Sequence, residues 1–179
     1  MNETINAMRS PMEVLQMRPV ASDDYGVDDH ASDLVVHRRA VRIGASGLLF
    51  AEGHIGEVLD PSPSLHAVPN TTEWFSGVVN IRGNIVPVFN IALLLNQQVN
   101  SPKNSRLFVY GKGDAMAAFY MDDLPKKLSL DSKQLLSQSP LETTLDQYVQ
   151  ATYILGDVIW LDMDMEAMFS GLAGRMKST

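Results

Sequence analysis

A chain of 179 residues with 14 Lys and Arg against 21 Asp and Glu carries a formal charge of −7, which opposes attraction to nucleic acid and to anionic membrane surfaces. The absence of cysteine excludes a disulfide framework and thiolate zinc sites, and it suits a reducing compartment. At about 150 residues per domain, the length allows one compact unit or two small ones.

The first residues include Glu3 and lead into no apolar run, so a secretory leader is not expected and a cytoplasmic location is. Residues 1–38 hold three bases and seven acids, a net of −4, and read as an acidic arm. Ser10 before Pro11 has the pattern of an N-cap with proline in the first turn, and Met8, Met12 and Leu15 would share one stripe of a short helix. Residues 21–33 are aspartate-rich and aperiodic, as a linker is. The arm is a solvated tail or a docking peptide.

From Arg39 onward the chain breaks into short apolar runs bounded by glycine, proline and asparagine. Runs at 40–43, 47–51, 75–80, 85–89, 106–110, 116–121 and 148–155 are rich in Val, Ile, Phe and Tyr and predict strands, hence a mainly β architecture. Helices are expected only at 91–96, 131–137 and 165–172, the last capped by Asp164. The uncharged stretch 83–102 contains Pro87 and six Asn or Gln, Asn84, Asn90, Asn96, Gln97 and Gln98 among them, which rules against a membrane span.

The β region repeats itself. Gly83-Asn84-Ile85-Val86 leads to Asn90 and an apolar turn, as Gly156-Asp157-Val158-Ile159 leads to Asp164 and Met165. The offsets are 73 residues from Gly83 to Gly156, 74 from Asn90 to Asp164, and 69 from Ile55 to Leu124. A near-constant offset predicts two similar sub-barrels that pack together and leave a groove between them.

Catalytic signals are weak. His30, His37, His54 and His66 fall at no metal-ligand spacing. Asp162, Asp164 and Glu166 lie where a strand runs into a helix, and capping with the helix dipole accounts for them better than a metal does. No phosphate-binding glycine motif and no nucleophile elbow occurs, and Gly111-Lys112-Gly113-Asp114 reads as a hairpin turn.

The most informative stretch is 74–90. It predicts a hairpin whose polar turn, Asn80 to Asn84, uses Gly83 for a positive φ and carries Arg82 at its tip. On the residues alone, Arg82 is either a solvated turn arginine or a recognition group.

Asn80-Ile81-Arg82-Gly83-Asn84-Ile85-Val86-Pro87-Val88-Phe89-Asn90, preceded by Pro69 and Gly77, resembles the signature of the CheW-like domain of bacterial chemosensory arrays. The similarity continues through Ile55-Gly56-Glu57-Val58-Leu59, through Tyr120-Met121-Asp122-Asp123-Leu124 and through Leu155-Gly156-Asp157, over about 130 residues. It implies a CheW-like domain at 39–179 with two packed five-stranded SH3-like β-barrels and neither catalysis nor a cofactor. It further implies two partners: the regulatory domain of a CheA-type histidine kinase and the cytoplasmic hairpin tip of a methyl-accepting chemotaxis receptor. Such an adaptor inserts into no membrane itself but is recruited to membrane-associated receptor arrays.

By the same resemblance Ile55, Glu57, Val58, Asn80 and Arg82 form the partner-binding cluster, while Gly77, Gly83, Pro87 and Gly156 set turn and hairpin geometry. Asn90 stands where the family usually has aspartate, Ala151-Thr152 replaces a glycine-containing stretch, and Gly53-His54 departs from an ordinary strand. Pro11-Met12-Glu13-Val14-Leu15 is similar to the opening of the PilI type, which serves the chemosensory system of type IV pilus twitching motility. The alternatives are a general chemotaxis adaptor controlling flagella and, from a different class, a stand-alone ligand-binding barrel.

Overall fold

The computed structural model describes residues 35–53, 56–97 and 106–176. The expected arm helix, the linker and Ile55 lie outside the described residues. Internal contacts divide the chain into Met1–Ser32 and Asp33–Thr179, and the second unit holds every described residue.

Its elements run β1 (Val36–Ile43), β2 (Ser46–Phe50), β3 (Gly56–Leu59), β4 (Phe75–Ile81), β5 (Asn84–Phe89), α1 (Ile91–Leu94), β6 (Arg106–Tyr110), β7 (Ala117–Met121), β8 (Lys126–Leu130), β9 (Leu135–Leu136), β10 (Val149–Leu155), β11 (Val158–Met163) and α2 (Met165–Met176). Strands predominate, as composition and punctuation predict. β1 opens at Val36, inside the stretch assigned by charge to the arm, because alternation in Val36-His37-Arg38-Arg39 sends only part of each pair inward. The helix expected at 131–137 is only a short 3-10 turn, Ser132–Gln134. Asp131 and Gln134 form a capping box there, but Leu135 and Leu136 then pair with Tyr153 and Thr152 as β9.

Two sheets result, ordered β8-β1-β2-β11-β10-β9 and β3-β6-β7-β5-β4. They carry six and five strands rather than five each, because the two-residue β9 extends one edge. Matching the orders end to end pairs β10 with β4, β11 with β5, β2 with β7, β1 with β6 and β8 with β3. In each sheet the first and second of these roles form an antiparallel hairpin, β10–β11 and β4–β5, and the parallel contact falls at equivalent places, β11 with β2 and β5 with β7. The offset is 70 residues from β3 to β8 and 74 from β4 to β10, β5 to β11 and α1 to α2. The repeat is therefore real but circularly permuted: the N-terminal hairpin β1–β2 completes the sheet of the C-terminal half.

Three apolar clusters follow from this arrangement. Val79, Val86, Val88, Leu107 and Val109 fill the inside of the five-stranded sheet, and Ala40, Leu49, Leu130, Tyr153 and Trp160 fill that of the other. A third and larger cluster draws on both sheets and on α2, with Leu48, Phe50, Phe89, Phe119, Met165 and Phe169 among its members. Two barrel-like sheets thus share one core. Phe169 of α2 anchors the junction, its ring 5.7 Å from Phe89, 5.4 Å from Tyr110 and 6.1 Å from Phe119.

One buried ion pair ties the permuted hairpin in place. Arg38 of β1 donates from Nε to both carboxylate oxygens of Asp162 on β11 at 2.9 Å, and Asp162 is 3% exposed. The bond to Asp162 raises the Arg38 pKa further, against the lowering effect of burial. Asp162 is thus a structural anchor, a role the acidic triplet concealed. Asp164 caps α2 by accepting from the Ala167 N–H at 2.9 Å, and Asn90 caps α1 in the same way through the Leu93 N–H at 3.1 Å.

Candidate interaction site

The β4–β5 connection is a two-residue turn between the paired residues Ile81 and Asn84. Both turn residues take positive φ, 52° at Arg82 and 87° at Gly83, the pattern of a type I′ turn that matches the twist of the strands. Asn80 supports it by accepting the Gly83 N–H at 2.9 Å. The equivalent β10–β11 turn, between Leu155 and Val158, places Gly156 at φ 62° where the first hairpin has Arg82. An arginine therefore occupies a conformation that costs a side chain about 1 kcal/mol, and for which the other half uses glycine.

Arg82 does not wave freely in solvent. Its Nη2 donates to Glu57 Oε2 at 2.8 Å and its Nη1 to Glu57 Oε1 at 3.2 Å, a two-pronged pair with side chains 75% and 35% exposed. Glu57 comes from β3, at one edge of the five-stranded order, and Arg82 from the turn that follows β4, the strand at the other edge. The result is a fixed, solvent-facing guanidinium at the end of one barrel, beside Ile85, which is 65% exposed.

The other sequence candidates fall in different places. Asn80 is exposed, but its oxygen is committed to the turn. Val58 is half-buried, packs against the shared core and lines a hollow of about 270 Å³ with Arg39, Phe50, Phe108, Leu124 and Pro125. Glu57 and Val58, being consecutive on a strand, serve opposite faces. Gly77 sits at a bulge with φ 134°, where a Cβ would strike the His66 carbonyl. Pro87 lies just ahead of the β5–β7 ladder, which covers only Val88 and Phe89, so its missing N–H leaves no gap there.

A larger hollow, about 750 Å³, was not assigned residue by residue from the sequence. It lies between β5, the β6–β7 turn and α2, and its walls include Ile85, Pro87, Phe89, Tyr110, Glu166 and Phe169. This is a groove at the junction of the two sheets, because α2 continues from β11 of one sheet while β5 and β6 belong to the other. Burial, then the charges of Glu166 and Asp164, push the Tyr110 phenol above its ordinary range. Among the described residues no group of three or more His, Cys, Asp or Glu is placed to hold a metal ion. No described helix is long and apolar enough to cross a membrane. What the geometry offers is a largely apolar groove with polar edges and a charged barrel end.

Known proteins resemble this chain in sequence and in fold. The chain is 28% identical over 105 residues to the chemotaxis protein CheW of Klebsiella aerogenes, covering 58% of this chain and 63% of that protein. It is 28% identical over 118 residues to the protein PilI of Pseudomonas aeruginosa, covering 63% and 64%. The chain thus spans under two thirds of the length of these relatives. Its fold matches the crystal structure of the scaffolding protein TtCheW from Thermoanaerobacter tengcongensis with a TM-score of 0.60 at 16% identity, over 81% of this chain and 93% of that one. Residues 40–173, from within β1 to within α2, match the CheW-like domain, and with the paired sheets and the Arg82 hairpin this establishes that the chain belongs to the CheW-like domain family.

Proposed function

We propose that this protein is a non-catalytic adaptor that holds a methyl-accepting chemoreceptor and a CheA-type histidine kinase in one array, in the chemosensory pathway that controls twitching by type IV pili. The observation that carries this reading is the pairing of two unlike surfaces on one compact unit. The groove beside α2 is apolar with polar edges, which suits a helical hairpin. The Glu57–Arg82 end of the five-stranded barrel is polar and pre-set, which suits a folded domain such as the kinase's regulatory domain. Ile55, next to Gly56 at the start of β3, belongs with the groove in this reading, and Glu57, Arg82 and Asn80 with the barrel end.

The pilus assignment is supported by the likeness to PilI, whose matched stretch is longer than that of CheW from Klebsiella aerogenes at equal identity. It predicts that deleting the gene abolishes twitching zones on agar and leaves swimming intact. A loss of swimming with normal twitching would move the protein to the flagellar pathway. The adaptor reading itself is tested by titrating a soluble receptor hairpin and the isolated kinase regulatory domain against the full chain, singly and together. It requires both to bind and the ternary complex to form. Mutually exclusive binding would overturn it.

A further inference from the structure

The groove beside α2 has a counterpart generated by the repeat, where α1 faces the β1–β2 turn, and there a side chain spans the gap. Gln97, just after α1, donates from Nε2 to Ser46 Oγ and accepts the Ala45 N–H at 2.9 Å, tying the turn down. On the α2 side the helix instead runs on for 12 residues. Its Glu166, Phe169 and Ala173 line the open space at helical spacing. The groove is therefore an asymmetry of an otherwise repeated fold.

Its charge is also unbalanced. Lys112 and Asp114 lie on the β6–β7 turn and offset one another, which leaves Glu166 as the unbalanced charge among the described lining residues. Glu166 is exposed, and no ion pair joins it to another described residue. Its field reaches the wall, since it contributes to the raised pKa of Tyr110. A first-turn acid also favours the helix dipole, but that role needs no groove.

We infer that Glu166 is the specificity-determining charge of this groove and selects a helical hairpin whose apolar face carries a lysine or arginine over the first turn of α2. This rests on the adaptor reading and adds to it what the receptor segment must present. An occupant without such a base would bury the carboxylate unpaired, which discriminates against it by repulsion and desolvation as much as by a lost contact.

The test uses the full chain and a soluble fragment of a methyl-accepting receptor's cytoplasmic hairpin, titrated at low and high salt. Glu166→Gln is expected to weaken binding about five- to tenfold at low salt and much less at high salt, and Glu166→Lys to weaken it further. Replacing the hairpin's basic residues one at a time by glutamate should yield a variant that binds Glu166→Lys better than it binds the parent, which shows the pairing directly without relying on the mutant's stability. Equal binding by parent and Glu166→Gln at low salt, or a lowered melting temperature with unaltered binding, overturns the inference and leaves a helix-dipole role while the adaptor reading stands. A parent chain that binds no receptor hairpin overturns both.

Discussion

Glu57 and Arg82 meet at 2.8 Å although β3, which carries Glu57, and β4, which the turn residue Arg82 follows, are the first and last strands in the hydrogen-bonded order of their sheet. Five strands about 4.8 Å apart would hold the edges nearly 20 Å apart if the sheet were flat. The contact therefore reports how far the sheet rolls toward closure, and the pair sits where the two edges approach. A salt bridge so exposed adds about 0–1 kcal/mol to stability, too little for it to be a clasp. What it does is hold a guanidinium in one orientation on a strained turn residue.

Replacing Arg82 separates these effects. Arg82→Ala loses the pair and keeps the left-handed strain, so it should lower stability by less than about 1 kcal/mol. Arg82→Gly loses the pair but releases about 1 kcal/mol of strain, so it should be as stable as the parent or slightly more so. Both should weaken binding to the kinase regulatory domain. Urea denaturation and titration on the same samples provide the check, and undiminished binding by both variants would make Arg82 a solvated turn residue.

The two hairpin glycines make a second, purely conformational contrast. Gly83 has φ 87° and nothing within 4 Å of a built Cβ, so Gly83→Ala should cost only its backbone strain, about 1 kcal/mol. Gly77 combines φ 134° with a collision against the His66 carbonyl, whose backbone exchanges hydrogen bonds with Val78. Gly77→Ala should therefore cost clearly more, roughly 2–4 kcal/mol, as that bridge is forced apart. Equal losses in thermal melts would show that the bridge yields freely.

For the buried pair the order of effects follows from exposure. Arg38→Ala strands the carboxylate of Asp162, which is 3% exposed, and should cost about 3–5 kcal/mol. Asp162→Asn leaves a guanidinium whose side chain is 26% exposed and can turn to water, so the loss should be smaller. The double variant Arg38→Met with Asp162→Leu should recover much of the loss, since packed apolar groups commonly replace such a pair without penalty. Denaturant midpoints for the three chains decide the order.

How far the sequence announced this structure depends on which contacts are local. The Arg82 hairpin was legible because its turn residues and apolar flanks lie within 17 positions, and the repeat because β4–β5–α1 and β10–β11–α2 each run continuously. The permutation was not, since the pairing of Leu48 with Leu161 joins segments over a hundred residues apart and leaves no periodic trace. Asp162 was read with its neighbours Asp164 and Glu166, yet strand alternation sends it to a different side. Its signal was an acid among the apolar residues of Trp160-Leu161-Asp162-Met163, a position that demands a buried partner. The groove charge was hidden similarly, because Glu166 satisfies the rule for helix starts and its second neighbourhood is made by β5 and the β6–β7 turn.

The separation of the two proposed surfaces yields the last prediction. Ile85 lines the groove and is 65% exposed, so Ile85→Asp removes little buried area and should leave the melting temperature close to that of the parent. Against an apolar helix face the new carboxylate would be desolvated without a partner, costing several kcal/mol at a central contact, or at least a hundredfold in affinity. Under the proposal that Ile55 takes part in receptor binding, Ile55→Asp should act in the same direction. Ile85→Asp leaves both members of the Glu57–Arg82 pair in place, so binding of the kinase regulatory domain should persist, while Arg82→Gly should show the reverse pattern. Ile85 stands opposite Asn80 in the hairpin register, only three residues from Arg82, which makes it the most demanding place to seek independence. Parallel loss of both partners in a folded Ile85→Asp chain would mean that groove and barrel end form one continuous surface, and that receptor and kinase compete for it.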